Sequence, residues 1–459
     1  YQYDPLNRLQ QIVDAVNGSN APTAYTYYLN DRPRQVTPPN QLSTQYQYDD
    51  LGNLLGETSP DRGSTSYGYD PAGNLLTQTD ARGQTTTYTY DALNRPLSRQ
   101  SSSAFTTAYN YLYDLWYVGR LCSIRNGSMT LMDLGYDNLG RMNYSRDFYD
   151  GSITRFAYTP GGRLAGLTDP SGRTVDYTYD FQSGPAAAGH VSQVSTTYNG
   201  ATTVLASNIA YSPFGPVASL NYGNGLSLLA QFDSAYRPTL RTDGVYAENI
   251  TTYDGAGNIL TRTIPGTQGF TYDPLSHLQS ATDTGTFGSL SWLYDGNGNR
   301  QSETRNGTGT AYIYNPGTNR LTQLGTESRQ YHPDGSTAAT TALGPLSYNG
   351  YGELTQIATG GASYAYDPFG RRHWKNGNGN SAIFTYGPNS ELLYEMSSGS
   401  TQSYVYLNNV PLARIDNNSQ VYYYHNDHLG TPQAMTDSTG TTKRAPALVM
   451  RDRTSKSLS

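Results

Sequence analysis

Two histidines near the C-terminus have the spacing that comes closest to a metal site in this chain. His425 and His428 give a His-x-x-His pattern with Asp427 between them, and imidazole is a common ligand of transition metals. On a turn, however, that spacing does not fix both rings on one side. We therefore expect no metal and no cofactor at these residues.

Catalytic groups are equally hard to place. Aspartates are plentiful, and two of them brought together could act as acid and base on a glycoside. An aspartate in a turn, however, more often accepts hydrogen bonds from nearby backbone N–H groups. The sequence has no Gly-x-Ser-x-Gly elbow with partner residues, no phosphate-binding loop and no Cys-x-x-Cys pair. We predict no catalytic residue and a non-enzymatic chain.

Most of these aspartates belong to a repeated motif, Tyr-Asp-x-x-Gly-Asn-Leu, which recurs about every 20 residues along the chain. Some copies carry Asn at the glycine position or Arg at the following one. A repeat of this kind predicts an array of small units rather than an ordinary globular domain. The signature residues of the clearest copies are Tyr48, Asp49 and Gly52; Tyr69, Asp70 and Gly73; Tyr90 and Asp91; Tyr253, Asp254 and Gly257; and Tyr294, Asp295 and Gly298.

Each repeat predicts a β-hairpin. The segment 85–90 alternates aromatic residues with threonine, which is the period of a strand. The Asp-x-x-Gly that follows each aromatic pair is a turn sequence, and a second turn such as 80–83 occurs in each period. Two turns per period mean two antiparallel strands, so roughly 20 periods give roughly 40 strands. The predicted fold class is all-β, a long meander of hairpins.

Composition excludes several classes of protein. The chain has 43 Tyr and 48 Gly but only 14% charged residues, so aromatic packing and backbone ladders must supply its cohesion. The net charge of -6 shows no strong asymmetry, which argues against nucleic-acid binding. No apolar run approaches the ~18 residues that would span a bilayer. The single cysteine, Cys122, excludes an internal disulfide.

The repeat resembles the YD repeat of the RHS family from Tyr1 to about Thr441. The segment 422–437 resembles the opening of the RHS-associated core, and its signature residues are Tyr424, His425, Asp427, His428, Leu429 and Gly430. The resemblance implies a hollow β-shell that encloses a C-terminal effector, commonly a toxin, in a secreted or cell-surface bacterial protein. We accordingly divide the chain into a repeat array at 1–420, the start of the core segment at 421–441 and an atypical tail at 442–459.

The tail departs from the family pattern. Two of the three lysines, Lys443 and Lys456, lie in it, and no aspartate pair of the family's cleavage site can be placed. We expect a disordered tail, produced by truncation or frame shift or else a genuine basic extension. The partners implied are the remaining repeats and the effector of a longer protein. A second feature, the glycine- and alanine-rich stretch 184–189, is predicted to be a loop inserted between two repeats.

The size of the strip limits what this chain can enclose. About 40 strands at ~4.8 Å spacing make a strip roughly 190 Å long. A sheet of that length must curl, and a spiral would cover its exposed edges. A shell around a ~100-residue cargo needs a circumference near ~140 Å, from a cargo radius of gyration near 13 Å and a wall about 10 Å thick. We expect an open curved band or short barrel rather than a sealed capsule.

The tyrosines and arginines leave alternatives open. Stacked tyrosines could bind glycans in a surface adhesion module, or they could form cross-strand pairs that hold the wall together. Arginines just after the turn, such as Arg141, could face the Asp or Tyr of the next repeat and fix its register; the others are Arg8, Arg95 and Arg371. The shell segment is the leading interpretation and glycan-binding adhesion is the alternative.

Overall fold

The computed structural model describes residues 1–17, 21–104, 106–180 and 189–443. Over these residues the chain forms 43 β-strands and no helix. No helix that could cross a membrane is present in the described part. The predicted all-β class and the meander of hairpins are confirmed.

The strands are short and follow one another closely. The first fifteen are β1 Gln2–Tyr3, β2 Leu9–Ile12, β3 Thr23–Tyr27, β4 Pro33–Thr37, β5 Thr44–Tyr48, β6 Leu54–Ser59, β7 Gly63–Tyr69, β8 Leu75–Thr79, β9 Thr85–Tyr90, β10 Pro96–Ser101, β11 Tyr109–Tyr113, β12 Leu121–Asn126, β13 Met129–Tyr136, β14 Met142–Asp147 and β15 Ile153–Tyr158. The next fourteen are β16 Leu164–Thr168, β17 Thr174–Tyr179, β18 Val191–Tyr198, β19 Ala201–Tyr211, β20 Val217–Tyr222, β21 Ser227–Phe232, β22 Pro238–Thr242, β23 Ala247–Tyr253, β24 Ile259–Thr263, β25 Thr267–Tyr272, β26 Leu278–Asp283, β27 Gly288–Tyr294, β28 Arg300–Arg305 and β29 Thr308–Tyr314. The last fourteen are β30 Leu321–Leu324, β31 Glu327–Tyr331, β32 Thr337–Thr340, β33 Gly344–Tyr348, β34 Leu354–Ile357, β35 Ala362–Tyr366, β36 Arg372–Gly377, β37 Asn380–Tyr386, β38 Leu392–Ser397, β39 Ser400–Leu407, β40 Val410–Asp416, β41 Gln420–Asn426, β42 Pro432–Thr436 and β43 Thr442–Lys443.

The described pairings are antiparallel and join strands that are consecutive in the chain. In the hairpin of β7 and β8, Ser66 lies opposite Thr79, and the register shifts at the end beside Tyr69. The same shift occurs next to Tyr48 and Tyr294. It reflects the turn itself, since a loop with one residue in the left-handed conformation adds a bulge to the ladder.

The strands group into two compact units. Unit 1 comprises Tyr1–Leu112, Arg125–Met129 and Gln268–Tyr364; unit 2 comprises Tyr113–Ile124, Thr130–Thr267 and Ala365–Ser459, of which 444–459 lie outside the described residues.

Each unit has its own core. In unit 1 the buried apolar cluster is small and consists of Ala281, Leu290 and Trp292. In unit 2 it is much larger and consists of Phe156, Leu167, Val175, Val191, Val194, Leu205, Ala206, Ile209, Leu220, Tyr222, Leu228, Leu393, Val405, Leu407, Leu412, Ala413, Ile415 and Tyr423.

Within unit 1 the strip returns on itself, and the turns of distant hairpins touch. The Nδ2 of Asn17 donates to the carbonyl of Gly296 at 2.7 Å, across 279 residues of sequence. The Nδ2 of Asn319 donates to the Oδ2 of Asp61 at 2.9 Å, across 258 residues. In both contacts a second turn of an early hairpin meets a Tyr-Asp-type turn of a later one. We call a contact between hairpins that are distant in sequence, made through turns or strand ends, a seam contact.

Seam contacts also occur within unit 2. The Nη2 of Arg173 donates to the carbonyl of Asn418 at 2.7 Å, across 245 residues. The backbone N–H of His428 donates to the Oε2 of Glu248 at 3.0 Å, across 180 residues. Neighbouring stretches of the strip therefore meet through turns and side chains. These contacts cover strand ends that would otherwise be exposed.

Two predicted segments fall largely outside the described residues. Of the predicted inserted loop only Gly189 is described, in the left-handed conformation with φ 76°. Of the predicted tail, Thr442 and Lys443 form β43, which pairs with β42. The Nζ of Lys443 lies 2.9 Å from the Oδ2 of Asp437.

Candidate functional site

The Tyr-Asp turn holds its own backbone. In the copy after β7, the Oδ1 of Asp70 accepts hydrogen bonds from the backbone N–H of Ala72 at 2.9 Å and of Asn74 at 2.8 Å. Gly73 takes φ 84°, which only a residue without a Cβ adopts freely. The side chain of Asn74 donates to the Oδ2 of Asp70 at 2.9 Å. This bond and the backbone donors hold the pKa of the Asp70 carboxyl below its usual value.

Other copies repeat this geometry. In each, the aspartate Oδ1 accepts N–H groups from the residues two and four positions on, and the glycine, where present, has a positive φ. The aspartates concerned are Asp49, Asp91, Asp254 and Asp295, and the glycines are Gly52, Gly257 and Gly298. These carboxylates are therefore committed to the turn, which leaves them poorly placed for acid and base chemistry.

Arginine at the position after the turn connects successive hairpins. The Nε of Arg141 donates to the Oδ2 of Asp137 in its own turn at 2.6 Å. Its Nη1 donates to the carbonyl of Thr159 in the next turn at 3.0 Å, and its guanidinium lies 4.8 Å from the ring centre of Tyr158. The expected contact with the tyrosine of the next repeat is present, whereas the aspartate belongs to the same repeat.

The signature tyrosines connect hairpins in the opposite direction. The hydroxyl of Tyr90 donates to the carbonyl of Leu75, at the start of the preceding hairpin's second strand, at 3.0 Å. The hydroxyl of Tyr294 donates to the carbonyl of Leu278 at 2.8 Å, and that of Tyr253 donates to a carbonyl in the same way. Burial raises the pKa of these phenols, as it does for Tyr48 and Tyr69.

The segment 422–437 forms a modified repeat. Asp427 behaves like the other turn aspartates, since its Oδ1 accepts the N–H groups of Leu429 and Thr431, each at 2.9 Å. Gly430 has φ 78°, and Leu429 is 66% exposed at the tip of the turn. Tyr424 is buried in β41. The segment therefore keeps the repeat geometry and adds two histidines to it.

The first histidine, His425, is fully buried. Its Nδ1 lies 3.0 Å from the Oδ2 of Asp243, which is also fully buried, and its Nε2 lies 2.8 Å from the Oγ1 of Thr436. The Oδ1 of Asp243 accepts the backbone N–H of Tyr246 at 3.0 Å. The two atoms are close enough for an ion pair but are not aligned as a hydrogen bond, so the contact brings 422–437 against the turn before β23 at a cost in burial.

The second histidine, His428, pairs with a different carboxylate. Its Nδ1 lies 3.0 Å from both oxygens of Glu248, and the Nη1 of Arg262 donates to the Oε1 of Glu248 at 3.1 Å. Burial raises the pKa of Glu248, but the hydrogen bonds and charges of His428 and Arg262 outweigh it and leave that pKa lowered. The carboxylate also orients the imidazole, with Nδ1 toward Glu248 and Nε2 left for other contacts.

The imidazole rings of His425 and His428 do not face a common point, because Asp243 holds the first and Glu248 holds the second. Among the described residues, no group of three or more His, Cys, Asp or Glu side chains could hold a metal ion. The carboxylate partners Asp243 and Glu248 were not singled out from sequence. The only signal for them was the position of Asp243 in a second turn, and nothing local relates that turn to a Tyr-Asp turn far along the chain.

The chain is an array of hairpins, in which tyrosine hydroxyls join neighbouring hairpins and seam contacts join distant ones. This architecture defines a β-repeat protein. A family model described as "Teneurin YD-shell" matches residues 233–447, and one described as "RHS Repeat" matches residues 27–65 and 69–107. The chain belongs to the RHS/YD-repeat proteins.

Named relatives share part of the array. The tRNA3(Ser)-specific nuclease WapA of Bacillus spizizenii is 32% identical over 185 residues, and the tRNA nuclease WapA of Bacillus subtilis is 31% identical over 185 residues. The matched segment spans 37% of this chain but 8% of either relative. This chain therefore corresponds to a small part of those proteins.

Solved structures with the same fold come from toxin complexes. The structure of TcdB2-TccC3 without its hypervariable C-terminal region has a TM-score of 0.81 at 17% identity, covering 96% of this chain and 27% of that one. A Photorhabdus luminescens Tc holotoxin pore has a TM-score of 0.78 at 18% identity, covering 92% of this chain and 25% of that one. At these identities the likeness establishes the fold alone, which is the shell-type fold expected from sequence.

Proposed function

We propose that this chain is a wall segment that helps to enclose and present an effector domain carried elsewhere in a longer, secreted or surface-delivered bacterial protein. The proposal rests on the fact that the polar side chains of the repeat bind the protein's own backbone. The turn aspartate binds its own backbone, the tyrosine hydroxyl binds the preceding hairpin, and the arginine binds the following one. Side chains used in this way hold a wall together, and they favour a non-enzymatic role for the repeats.

The comparisons support this proposal in part. The relatives named as nucleases are much longer than the matched segment, so a nuclease activity can lie outside the repeats in those proteins. The structural neighbours are parts of toxin complexes, which is consistent with an effector as the partner.

Limited proteolysis of the longer protein tests the proposal. We expect its effector segment to resist protease while the wall is intact and to be cleaved at least ~10-fold faster once a seam contact is removed. Glu248→Ala is the seam variant, because it leaves His428 and Arg262 without their carboxylate. Arg155→Ala, an exposed residue of β15, is the control. The proposal fails if the effector is cleaved as fast within the wild-type protein as it is alone.

Glycan binding is a second candidate, and one surface feature favours it. In unit 2, Phe214 is 86% exposed and Tyr236 is 39% exposed, with ring centres 5.8 Å apart. The two rings are inclined at 67°, so they form no shared platform, but the exposed face of Phe214 can stack on a sugar. A glycan array probed with the wild type and with Phe214→Ser tests it, and a blank array for the wild type would remove the candidate.

A further inference from the structure

A cavity in unit 2 lies beside the seam contact of His428 and Glu248. Its volume is about 300 Å³, roughly twice that of the ~150 Å³ engineered cavity that binds benzene. Most of its lining is apolar, including Val217, Leu220, Leu240, Val410 and Leu412. The space opens to solvent on one side, so a small molecule can enter it without displacing the wall.

Two cationic or potentially cationic side chains also line the cavity. Arg241 donates from Nε to the carbonyl of Asn426 at 2.5 Å, and its two terminal nitrogens have no hydrogen-bond partner among the described residues. His428 also lines the cavity, with Nδ1 engaged by Glu248 and no partner for Nε2 within the described part of the chain. Arginine keeps its charge in nearly every protein site, and its fork matches the geometry of a carboxylate.

The acidic groups nearby are already engaged. Glu248 accepts from Arg262 as well as from His428. Asp427, which also lines the cavity, accepts the N–H groups of Leu429 and Thr431 and the Nε2 of Gln433, each at 2.9 Å. An incoming anion would therefore meet the free N–H groups of Arg241 without having to displace a carboxylate from them.

We propose that this cavity, which we call the Arg241 cavity, binds a small carboxylate with an apolar body, such as a medium-chain fatty acid. The carboxylate lies at the terminal nitrogens of Arg241, with the ring of His428 in the same lining. The apolar body lies against the valine and leucine side chains of the lining. The lining has no Ser, Thr, Cys or Lys side chain, and the carboxylate of Asp427 is held by the backbone of its own turn, so we assign a binding site rather than a catalytic one.

This inference goes beyond the proposed wall function and does not depend on it. A wall without a ligand would still enclose an effector, and a ligand could bind in a wall that encloses nothing. The two proposals also have separate measurements, since proteolysis reports on enclosure and calorimetry on the cavity.

Isothermal titration calorimetry with decanoate tests the proposal. We expect saturable binding of one decanoate per wild-type chain, at least ~10-fold weaker binding to Arg241→Gln and no change in Arg155→Gln. Decan-1-ol has the same apolar body without the charge, so its affinity is expected to be equal for the wild type and Arg241→Gln.

A cavity-filling variant provides the second line of the test. Val217→Phe places a ring in the cavity and is expected to abolish binding of both probes while leaving the circular dichroism spectrum unchanged. The absence of saturable decanoate binding to the wild type would overturn the proposal. So would equal losses in Arg241→Gln and Arg155→Gln, or unaltered decanoate binding to a folded Val217→Phe.

Discussion

A single residue position explains why the repeat tolerates some substitutions and excludes others. The fourth position of the Tyr-Asp turn lies in the left-handed region, at φ 84° in Gly73. Asn7 and Asn94 occupy the equivalent position at φ 61° and 60°. Asparagine adopts this conformation at lower cost than other residues with a side chain. The glycine of the motif is therefore a requirement of the backbone rather than of a ligand.

Substitutions of Gly73 should follow this order. Gly73→Ala is expected to destabilise the hairpin of β7 and β8 by ~1 kcal/mol, and Gly73→Asn by clearly less, because the strain lies in φ. Space is not the cause, since a Cβ would meet only the Oδ1 of Asn53, at 3.7 Å. Amide hydrogen exchange of β7 and β8 measures both effects.

Gly56 in β6 is the matched control. It is not in the left-handed region, and a Cβ there would make ordinary contacts at 3.7 Å or more. Gly56→Ala should therefore be neutral or slightly stabilising. If Gly73→Ala and Gly73→Asn proved equally costly, the conformational explanation would be wrong.

At the scale of the element, most of the hairpin structure can be predicted from the sequence. In the segment of β9, the alternation of threonine with tyrosine and the turn sequence after it predict two strands per repeat. These signals can be found in the sequence because both depend only on neighbouring residues. Seam contacts cannot be predicted from the sequence in the same way. The pairing of Asp243 with His425 depends on how many hairpins lie between them and on how strongly the strip curves. Neither quantity is encoded in a local pattern.

Arg141 shows how one hairpin fixes the next. Because its guanidinium contacts both Asp137 and the carbonyl of Thr159, Arg141→Ala should speed exchange in β14 and in β15. Arg141→Lys should recover little of the loss, since a single ammonium cannot bind both partners and cover the ring of Tyr158. Exchange that changed in β14 alone would show that the contact to the next hairpin contributes nothing.

A second interaction between elements should depend on pH. In unit 2, Asp147 at the end of β14 has its Oδ2 3.7 Å from the Nδ1 of His373 in β36. Burial raises the pKa of Asp147 to about 6, with the negative charges of Asp150 and Asp367 adding to it and Arg371 opposing it. Burial also lowers the pKa of His373.

The two shifts act in opposite directions. A carboxyl with a pKa raised from ~3.9 favours the folded state below pH ~4, and this contribution is lost as the pH rises through about 6. Asp147→Asn should therefore stabilise unit 2 by up to ~2 kcal/mol at pH 8 and make no difference at pH 4. His373, with its lowered pKa, contributes stability above pH ~6.5 that is lost as the pH falls through its folded pKa.

Hydrogen exchange of β14 and β36 between pH 4 and pH 8 checks this expectation. His373→Gln is the complementary variant, since its effect should change mainly on the acidic side of pH ~6.5. An Asp147→Asn effect of the same size at both pH values would contradict the assigned role of burial.

At the scale of the whole molecule, the repeat is uniform in sequence but its stability should not be. Most hairpins share the same type of turn and ladder, and these local terms are similar along much of the array. Apolar burial differs, because the buried cluster of unit 1 contains only Ala281, Leu290 and Trp292, whereas that of unit 2 extends over many strands. Regions with few buried apolar contacts open at lower free energy. Unit 1 should therefore unfold at a lower denaturant concentration than unit 2.

Matched substitutions test this difference. Leu205→Ala, at a residue with 0% exposure in unit 2, and Leu290→Ala, at 9% exposure in unit 1, each remove a buried leucine side chain and should cost ~2–5 kcal/mol. Leu290→Ala should lower only the first transition in urea, followed by hydrogen exchange of β26 and β27. Leu205→Ala should lower only the second, followed in β18 and β19. A single transition that both variants lowered equally would mean that the array unfolds as one cooperative body, with seam contacts rather than local cores setting its stability.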